Sequence, residues 1–252
     1  MPTFIHGKAT GVFVDQFDLA SYFNSLDFAS TNDTAETTSF SATAKSYIVG
    51  LNDATVSISG MFSQDATTGS DVVLSAALGA TTTPVITIVE STGTIGNRCV
   101  LGRAHETSYA ISNPVADVVS ISADFTASTD GVTNQTYGLR GGVILTTGAS
   151  IAFGSLGALA SVDNTASSAS GGMATLHAST NSIAGGTTTV KVQHSADNST
   201  WADLITFTAI SASTTTKELS AVSGTVNRYL RATASTAGSS GSIIFNVGFA
   251  RF

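Results

Sequence analysis

The sequence predicts a mainly β protein: an N-terminal β-sandwich or barrel flanked by one helix, then a C-terminal immunoglobulin-like or jelly-roll β-sandwich. Three observations carry this. Apolar residues alternate with polar ones over most segments, at the period of two that a half-buried strand requires. One segment departs from that period and reads as a helix. The charge balance also steps along the 252 residues, from net −8 over residues 1–148 to net +1 over residues 149–252, which suits two domains of ordinary size.

The first part reads as strands almost throughout. Val12 and Val14, then Val56, Ile58 and Gly60, then Val119, Ile121, Ala123 and Phe125 each set one apolar row on a single face. Between them, Ala29 to Gly50 is long and mostly Ser, Thr and Ala, and is expected to be an extended loop or hairpin. Ser70 to Gly79 offers a polar residue at its start, helix formers inside and glycine at its end, which predicts a helix packed through Val73, Leu74, Ala77 and Leu78. Pro84 starts a strand over Val85 to Val89, with further strands near 98–112 and 115–127. A short helical turn is expected near Leu19 to Asn24. The polar stretch Thr146 to Ser150 follows an alternating segment and marks the domain boundary, giving domains of 1–148 and 149–252.

In the second part, Val190, Val192 and His194 alternate along Thr187 to His194, and Ala196-Asp-Asn-Ser199 is a turn sequence. Trp201 to Thr208, Tyr229 to Ala232 and the row Ile243, Phe245, Val247 and Phe249 supply further strands. Ser161 to Gly172 is read as a loop.

Composition narrows the function. Charged residues are 11% of the chain, against roughly 25% in an ordinary soluble domain, while 35 Ser and 38 Thr give a surface of neutral hydroxyls. A net charge of −7 argues against binding nucleic acid by neutralising phosphates. The single cysteine, Cys99, excludes an internal disulfide and a Cys-based zinc site, and reads as a buried small hydrophobe. Residues Met1 to Lys8 lack the apolar core of a signal peptide and no eighteen apolar residues run together, so the chain is expected to be made in the cytoplasm and to cross no membrane.

No catalytic arrangement emerges. His6, His105, His177 and His194 stand in no metal-ligand spacing. His105 and Glu106 adjoin, but strand neighbours point to opposite faces, so a solvated pair is expected. Gly154-Ser-Leu-Gly157 is no nucleophile elbow, and the paired glycines at 141, 171 and 185 precede no Lys-Ser or Lys-Thr. The glycosylation sequons at Asn32, Asn134 and Asn198 mean little without export. No cofactor and no metal are expected. Trp201, beside the turn Asp197 to Thr200, is a candidate glycan contact, although a tryptophan in the core of the second sandwich is the favoured reading.

The runs Val12-Phe-Val-Asp15, Asp18-Leu-Ala-Ser21, Glu36-Thr-Thr-Ser-Phe40, Ala44-Lys-Ser-Tyr-Ile-Val-Gly-Leu51 and Asp53-Ala-Thr-Val-Ser-Ile-Ser-Gly60 resemble the opening of major tail tube proteins of long, flexible, non-contractile phage tails, the siphophage type. The resemblance covers roughly residues 4–127, with Glu36 to Gly60 its most specific block. It implies a structural virion protein, not an enzyme. Its β-sandwich with flanking helix would join its sheet to those of neighbours in hexameric rings, which stack into the tube through which the genome is ejected. It further implies other tail proteins at the tube ends and an extra C-terminal sandwich displayed outside. The charge step and the separate set of alternating strands make that sandwich an independent core expected to be dispensable for the wall, and the net charge of −8 leads to DNA passing without specific binding. Val190-Lys-Val-Gln-His-Ser-Ala-Asp-Asn-Ser-Thr-Trp201 and Arg228-Tyr-Leu-Arg231 are more similar to discoidin or carbohydrate-binding sandwiches. On this reading Phe40, Tyr47, Ile48 and Val49 are the expected subunit interface, and Asp33, Glu36, Asp65 and Asp71 the expected acids facing the lumen. A capsid decoration or head-surface protein and a carbohydrate-binding adhesin module are the alternatives.

Overall fold

The computed structural model describes residues 6–41, 43–128 and 138–252. The Asn134 sequon and residues 1–5 lie outside them. The first part contains β1 (Gly11–Val14), β2 (Phe17–Asp18), β3 (Phe23–Glu36), β4 (Tyr47–Met61), the helix α1 (Ser70–Ala77), β5 (Val85–Val89), β6 (Arg98–Ser112), β7 (Ser120–Ala127) and β8 (Leu139–Ile144). The second contains β9 (Ile151–Ala152), β10 (Val162–Asp163), β11 (Gly172–Asn181), β12 (Thr187–Ser195), β13 (Ala202–Thr206), β14 (Ile210–Ser211), β15 (Thr216–Val222), β16 (Tyr229–Thr236) and β17 (Ser242–Arg251). The protein is mainly β and its ladders are antiparallel.

β6 is the joint of the architecture. Its first half, Arg98 to Arg103, lies between β5 and β8 in a long sheet ordered β15-β11-β17-β8-β6-β5-β1-β2. Its second half, Ala104 to Ser112, leaves that sheet to pair with β7, which continues through β4 to β3. Gly102 sits just before the change of sheet with φ +152, where a Cβ would meet the Gly138 carbonyl oxygen at 2.0 Å.

Three apolar cores hold these layers. In the first, Val12, Val14, Ile86 and Ile88 from the long sheet meet Val56, Ile58, Ile121, Ala123 and Phe125 from the β3-β4-β7-β6 sheet, and α1 closes the end with Val73 and Leu74. In the second, the two ends of the long sheet face each other: Phe13, Val85, Val89 and Leu101 against Met173, Leu219 and Ala250. The third lies between β11–β17 and the five-stranded sheet β10-β16-β12-β13 with β14, and is filled by Leu176, Phe245, Val247 and Phe249 against Val190, Val192, Ile205, Phe207 and Leu230. Each such side chain contributes on the order of 1.5–3 kcal/mol when fully buried.

The second core alters one expectation. The boundary near residue 148 separates two cores but not two sheets, because β8 pairs with β17 through Ile144↔Gly248 and Val143↔Phe249. Met173, Leu219 and Ala250 cover one side of Phe13 and Leu101. A fragment ending at Gly148 would leave that apolar side uncovered.

A polar seam crosses the same junction. His177 on β11 is fully buried, its Nδ1 on the backbone oxygen of Asp15 and its Nε2 2.8 Å from Thr87 Oγ1, which in turn lies 2.7 Å from Thr175 Oγ1. Since the Asp15 carbonyl only accepts, Nδ1 carries the proton, Thr87 donates to Nε2 and Thr175 donates to Thr87. Lys217 on β15 adds an ion pair to the Asp15 carboxylate at 2.5 Å.

Local departures from the sequence expectations have physical causes. The helix is shorter than expected, Ser70–Ala77, and Gly69 stands at its N-cap. The Ser70 hydroxyl instead accepts from the Ser63 N–H and donates to the Met61 carbonyl, and Leu78 is exposed. Leu19 to Tyr22 form a turn closed by the Tyr22 N–H on the Leu19 carbonyl, and Phe23 and Asn24 already belong to β3, so no helical turn forms there. The expected loop Ser161 to Gly172 contains β10 and a bridge from Ser168 to Val226. Glu106 is buried rather than solvated: it follows Ala104 on the core face of β6, and burial pushes its carboxyl up to about 8. Trp201 is half-buried and outside the third core.

Candidate functional site

The phase of β4 sets the geometry of the most distinctive surface. Ala54, Val56, Ile58 and Gly60 face the first core, so Asp53, Thr55, Ser57 and Ser59 lie on the opposite face. Registry carries this face across the sheet in level rows. Asp27, Ser57, Asp124 and Ser108 make one row, and Ser25, Ser59, Ser122 and Ala110 the next. Asp124 accepts hydrogen bonds from Ser57 Oγ and Ser108 Oγ, both at 2.6 Å, and these hold its carboxyl below the usual carboxylate range. The described segments that build the face, Phe23–Glu36, 53–61, 106–112 and Ser120–Ala127, contain no Lys or Arg. The face is therefore hydroxyl-lined and negative, through Asp27, Asp53 and Asp124.

Both outer edges of this sheet are open. Among the described residues β3 pairs only with β4, and the second half of β6 pairs only with β7 apart from a bridge between Leu78 and Glu106. Gly60 is required where the chain folds over near β3, since a Cβ there would lie 2.1 Å from the Tyr22 carbonyl oxygen.

β3 and β4 run on beyond β7, whose last pair with β4 is Thr55↔Thr126. The continuation, Thr31 to Glu36 against Tyr47 to Asp53, is a two-stranded arm. It is held by Asn52 Nδ2 donating to Asn32 Oδ1 at 2.9 Å, by the Thr37 N–H on the Ser46 carbonyl at 2.8 Å and by a Lys45–Glu36 ion pair at 3.1 Å. Isolated two-stranded ribbons are marginal in water. The arm nonetheless exposes Phe40 fully, Leu51 at 80%, Val49 at 72%, Ile48 at 58% and Tyr47 at 54%. At the other end of the same strands lies a cleft of about 650 Å³ lined by His6, Lys8, Val12, Phe23 and Leu26 among others.

The structure places the sequence-predicted residues in three groups. Phe40, Tyr47, Ile48 and Val49 come together on the arm, with Asp33 and Glu36 on its other strand. Asp65 and Asp71 lie elsewhere, on the helix side of the sheet. Asp65 caps the turn before α1, accepting from the Thr67 and Thr68 N–H groups, which lower its carboxyl to about 2. Asp71, in the first turn of α1, accepts from the Tyr109 hydroxyl. Trp201 carries the Arg231 guanidinium over its ring at 4.1 Å, and Arg231 Nε donates to Gln193 Oε1 at 2.9 Å, so one ring face is occupied by the protein itself. The acids that the sheet does gather, Asp27, Asp53 and Asp124, were readable from phase. Asp124 alternates with Ile121, Ala123 and Phe125, and Asp53 with Ala54, Val56 and Ile58.

Among the described residues no group of three His, Cys, Asp or Glu side chains could hold a metal ion, and no helix is long and apolar enough to cross a membrane. No protein-family model and no curated protein matches the sequence. Solved structures that match this chain include one from the virion of a native gene transfer agent particle, at 16% identity and TM-score 0.40 over 49% of this chain and 94% of that one. A second comes from the tail of an empty gene transfer agent particle with C6 symmetry, at 13% identity and TM-score 0.36 over 43% of this chain and 78% of that one. A third is the Dit protein of SPP1, titled a paradigm of hub adsorption apparatus in phages infecting Gram-positive bacteria, at 12% identity and TM-score 0.34 over 96% of this chain and 99% of that one. At these scores the likeness does not extend to function.

Proposed function

We propose that this chain is a structural subunit of a phage tail tube, with the β3-β4-β7-β6 sheet forming the inner wall. The observation that carries the reading is that sheet itself: open at both edges, covered on one face by its own core, and presenting on the other hydroxyls and three aspartates with no base. An open edge needs a partner or a protecting device. Here four strands alternate in direction, so β3 of one copy meets the β6 edge of the next as an antiparallel pair, and repetition closes a ring. Six copies is the number the family resemblance implies. The acidic face then lines the channel. Duplex DNA carries one negative charge per roughly 1.7 Å of axis, so a wall without bases repels it and lets it pass without holding it.

The other features fall into place on this reading. With the acidic face inward, the long sheet lies behind the first core and residues 149–252 lie outermost, decorating the tube. The arm and the cleft occupy opposite ends of the same strands, so stacked rings bring the acids and apolar side chains of one arm toward the Lys8-bearing cleft of the next copy. The subunit is made in the host cytoplasm and resides in the virion, where its partners are its own copies and the tail proteins at the tube ends, and it catalyses nothing.

Deleting residues 33–46 tests the reading, since it removes Phe40 and the β3 residues that pair with Tyr47 to Val49 while leaving all three cores. The variant is expected to melt within about 2 °C of the parent and to give no rings or tubes by negative-stain electron microscopy. Normal tubes from the deletion would exclude the arm from assembly, and particles bound to capsids in place of tubes would favour a head-surface role.

A further inference from the structure

Among the described residues, Arg98 and Arg251 meet no carboxylate, and both line one recess. The recess, of about 240 Å³, lies where β6, β8 and β17 come together, and its walls include Arg98, Gly141, Gly142, Asn164 and Arg251. Arg251 is half-buried. Its Nη1 donates to the Val226 carbonyl at 2.7 Å and to Ser168 Oγ at 3.1 Å, and its Nη2 donates to the Asn227 carbonyl at 2.6 Å. All of these acceptors are neutral, and its buried Nε has no partner. The charge is felt nearby, for His194 is held below the usual imidazole range by burial and then by Arg251. Arg98 is exposed and makes no ion pair among the described residues, although the backbone N–H of Glu90 donates to its carbonyl at 3.3 Å. The neighbouring carboxylate, Asp163, is spent on a two-point bond to Arg228 at 2.7 and 2.6 Å.

Glycine keeps the recess open. A Cβ on Gly141 would lie 3.6 Å from Arg98 Nη2, and one on Gly142 would strike the Phe249 carbonyl oxygen at 2.3 Å, so the strand crossing that forms one wall tolerates no side chain at residue 142. The result is a small concavity with planar, permanently charged donors on one side and Asn164 beside it. Arginine forks match oxyanions in shape as well as in charge.

We propose that this recess binds a small oxyanion of the carboxylate or phosphate type, with Arg98 as the exposed contact and Arg251 as the positive charge held by backbone carbonyls. The site does not depend on the proposed function. Its occupant is either a free anion or an acidic side chain from a neighbouring copy.

Thermal unfolding of the full chain at pH 7, titrated with inorganic phosphate against chloride at constant ionic strength, tests the site. Phosphate is expected to raise the melting temperature saturably by roughly 2–4 °C. Arg98→Gln is expected to fold normally, since Arg98 is exposed and unbonded, and to weaken the half-saturation at least about tenfold, the scale of one lost charge-assisted contact. Lys191→Gln, which removes an equal charge from a surface ion pair outside the recess, is expected to leave the titration unchanged. A shift reproduced by chloride, equal in Arg98→Gln, or lost equally in Lys191→Gln would overturn the proposal. Repeating the titration on assembled protein separates the sources: phosphate that still binds marks a free anion as occupant, while loss of phosphate binding together with impaired assembly of Arg98→Gln marks an acidic side chain.

Discussion

On β4, the residues from Ala54 to Gly60 alternate between buried and open, whereas on β11 every residue from Gly172 to Ala178 is buried. Both segments are rich in small residues, Ala54, Ser57, Ser59 and Gly60 on β4 and Gly172, Ala174 and Ala178 on β11. They differ in what covers them: β4 has a core on one face and nothing on the other, while β11 lies between the second and third cores. The first arrangement leaves a surface for other copies and the second leaves none. Charge follows the same division, with net −8 over residues 1–148 and +1 over residues 149–252. The half that exposes a bare sheet face is the half that carries the acids.

Truncation after Gly148 breaks the comparison most severely. Because Met173, Leu219 and Ala250 cover one side of Phe13 and Leu101, the fragment is expected to lose its cooperative thermal transition, read by circular dichroism. A sharp transition near that of the parent would mean that the first half stands alone after all.

Point substitutions sharpen the contrast. Phe249→Ala, in the third core, is expected to cost about 3–5 kcal/mol in urea unfolding. Thr55→Ala on the open face of β4 should stay within about 0.5 kcal/mol. Comparable losses at both sites would show that the open face is packed in the isolated subunit.

Two buried groups, His177 and Glu106, carry opposite pH dependences between pH 4 and 9. Burial lowers the His177 imidazole to about 4, so the folded state keeps it neutral while the unfolded chain protonates near 6.5. Stability from this group is complete above about pH 6.5 and falls by roughly 3 kcal/mol on the way down to pH 4, as protonation would force Nε2 to donate toward Thr87 and reverse the hydroxyl chain. Glu106 acts in the opposite sense. Its carboxyl is raised, so its contribution is complete below about pH 4.5 and is lost as pH rises toward 8. Glu106→Gln should flatten the alkaline fall and His177→Gln the acid one, in urea titrations between pH 4 and 9. An acid fall unchanged in His177→Gln would place the acid-sensitive group elsewhere.

The same contrast explains what the sequence could tell. One-sided strands announce themselves, and β4, β7, β12 and most of β17 stand where alternation puts them. β11 had no such signature, because a strand buried on both faces loses the polar half of its period, and Ala174, Thr175, His177 and Ala178 are too small or too polar to read as a core run. The crossing of β6 between sheets was equally silent, since Arg98 to Ser112 reads as one strand. Of the site, the arm and its apolar residues were legible from their sparseness. The acids of the open face were missed, although the alternation of Asp53 and Asp124 with buried apolar neighbours carried the signal. Asp65 and Asp71 belong to turn and helix, where local backbone N–H groups and the Tyr109 hydroxyl use them.

Neutralising the open face gives the smallest expected effect on the subunit. Asp27→Asn with Asp124→Asn should leave melting within about 1 °C and assembly intact, while slowing DNA release from particles built with the variant. Unchanged release would remove the charge of the wall from the account.

The most direct measurement is the structure of the assembled form by electron cryomicroscopy. The account requires closed rings in which β3 of one copy pairs with the second half of β6 of the next, with Asp27, Asp53 and Asp124 facing the channel. Rings whose channel is lined instead by Lys8, Lys45, Arg98, Arg103 or Arg140, or in which the β3 and β6 edges remain unpaired, would contradict it.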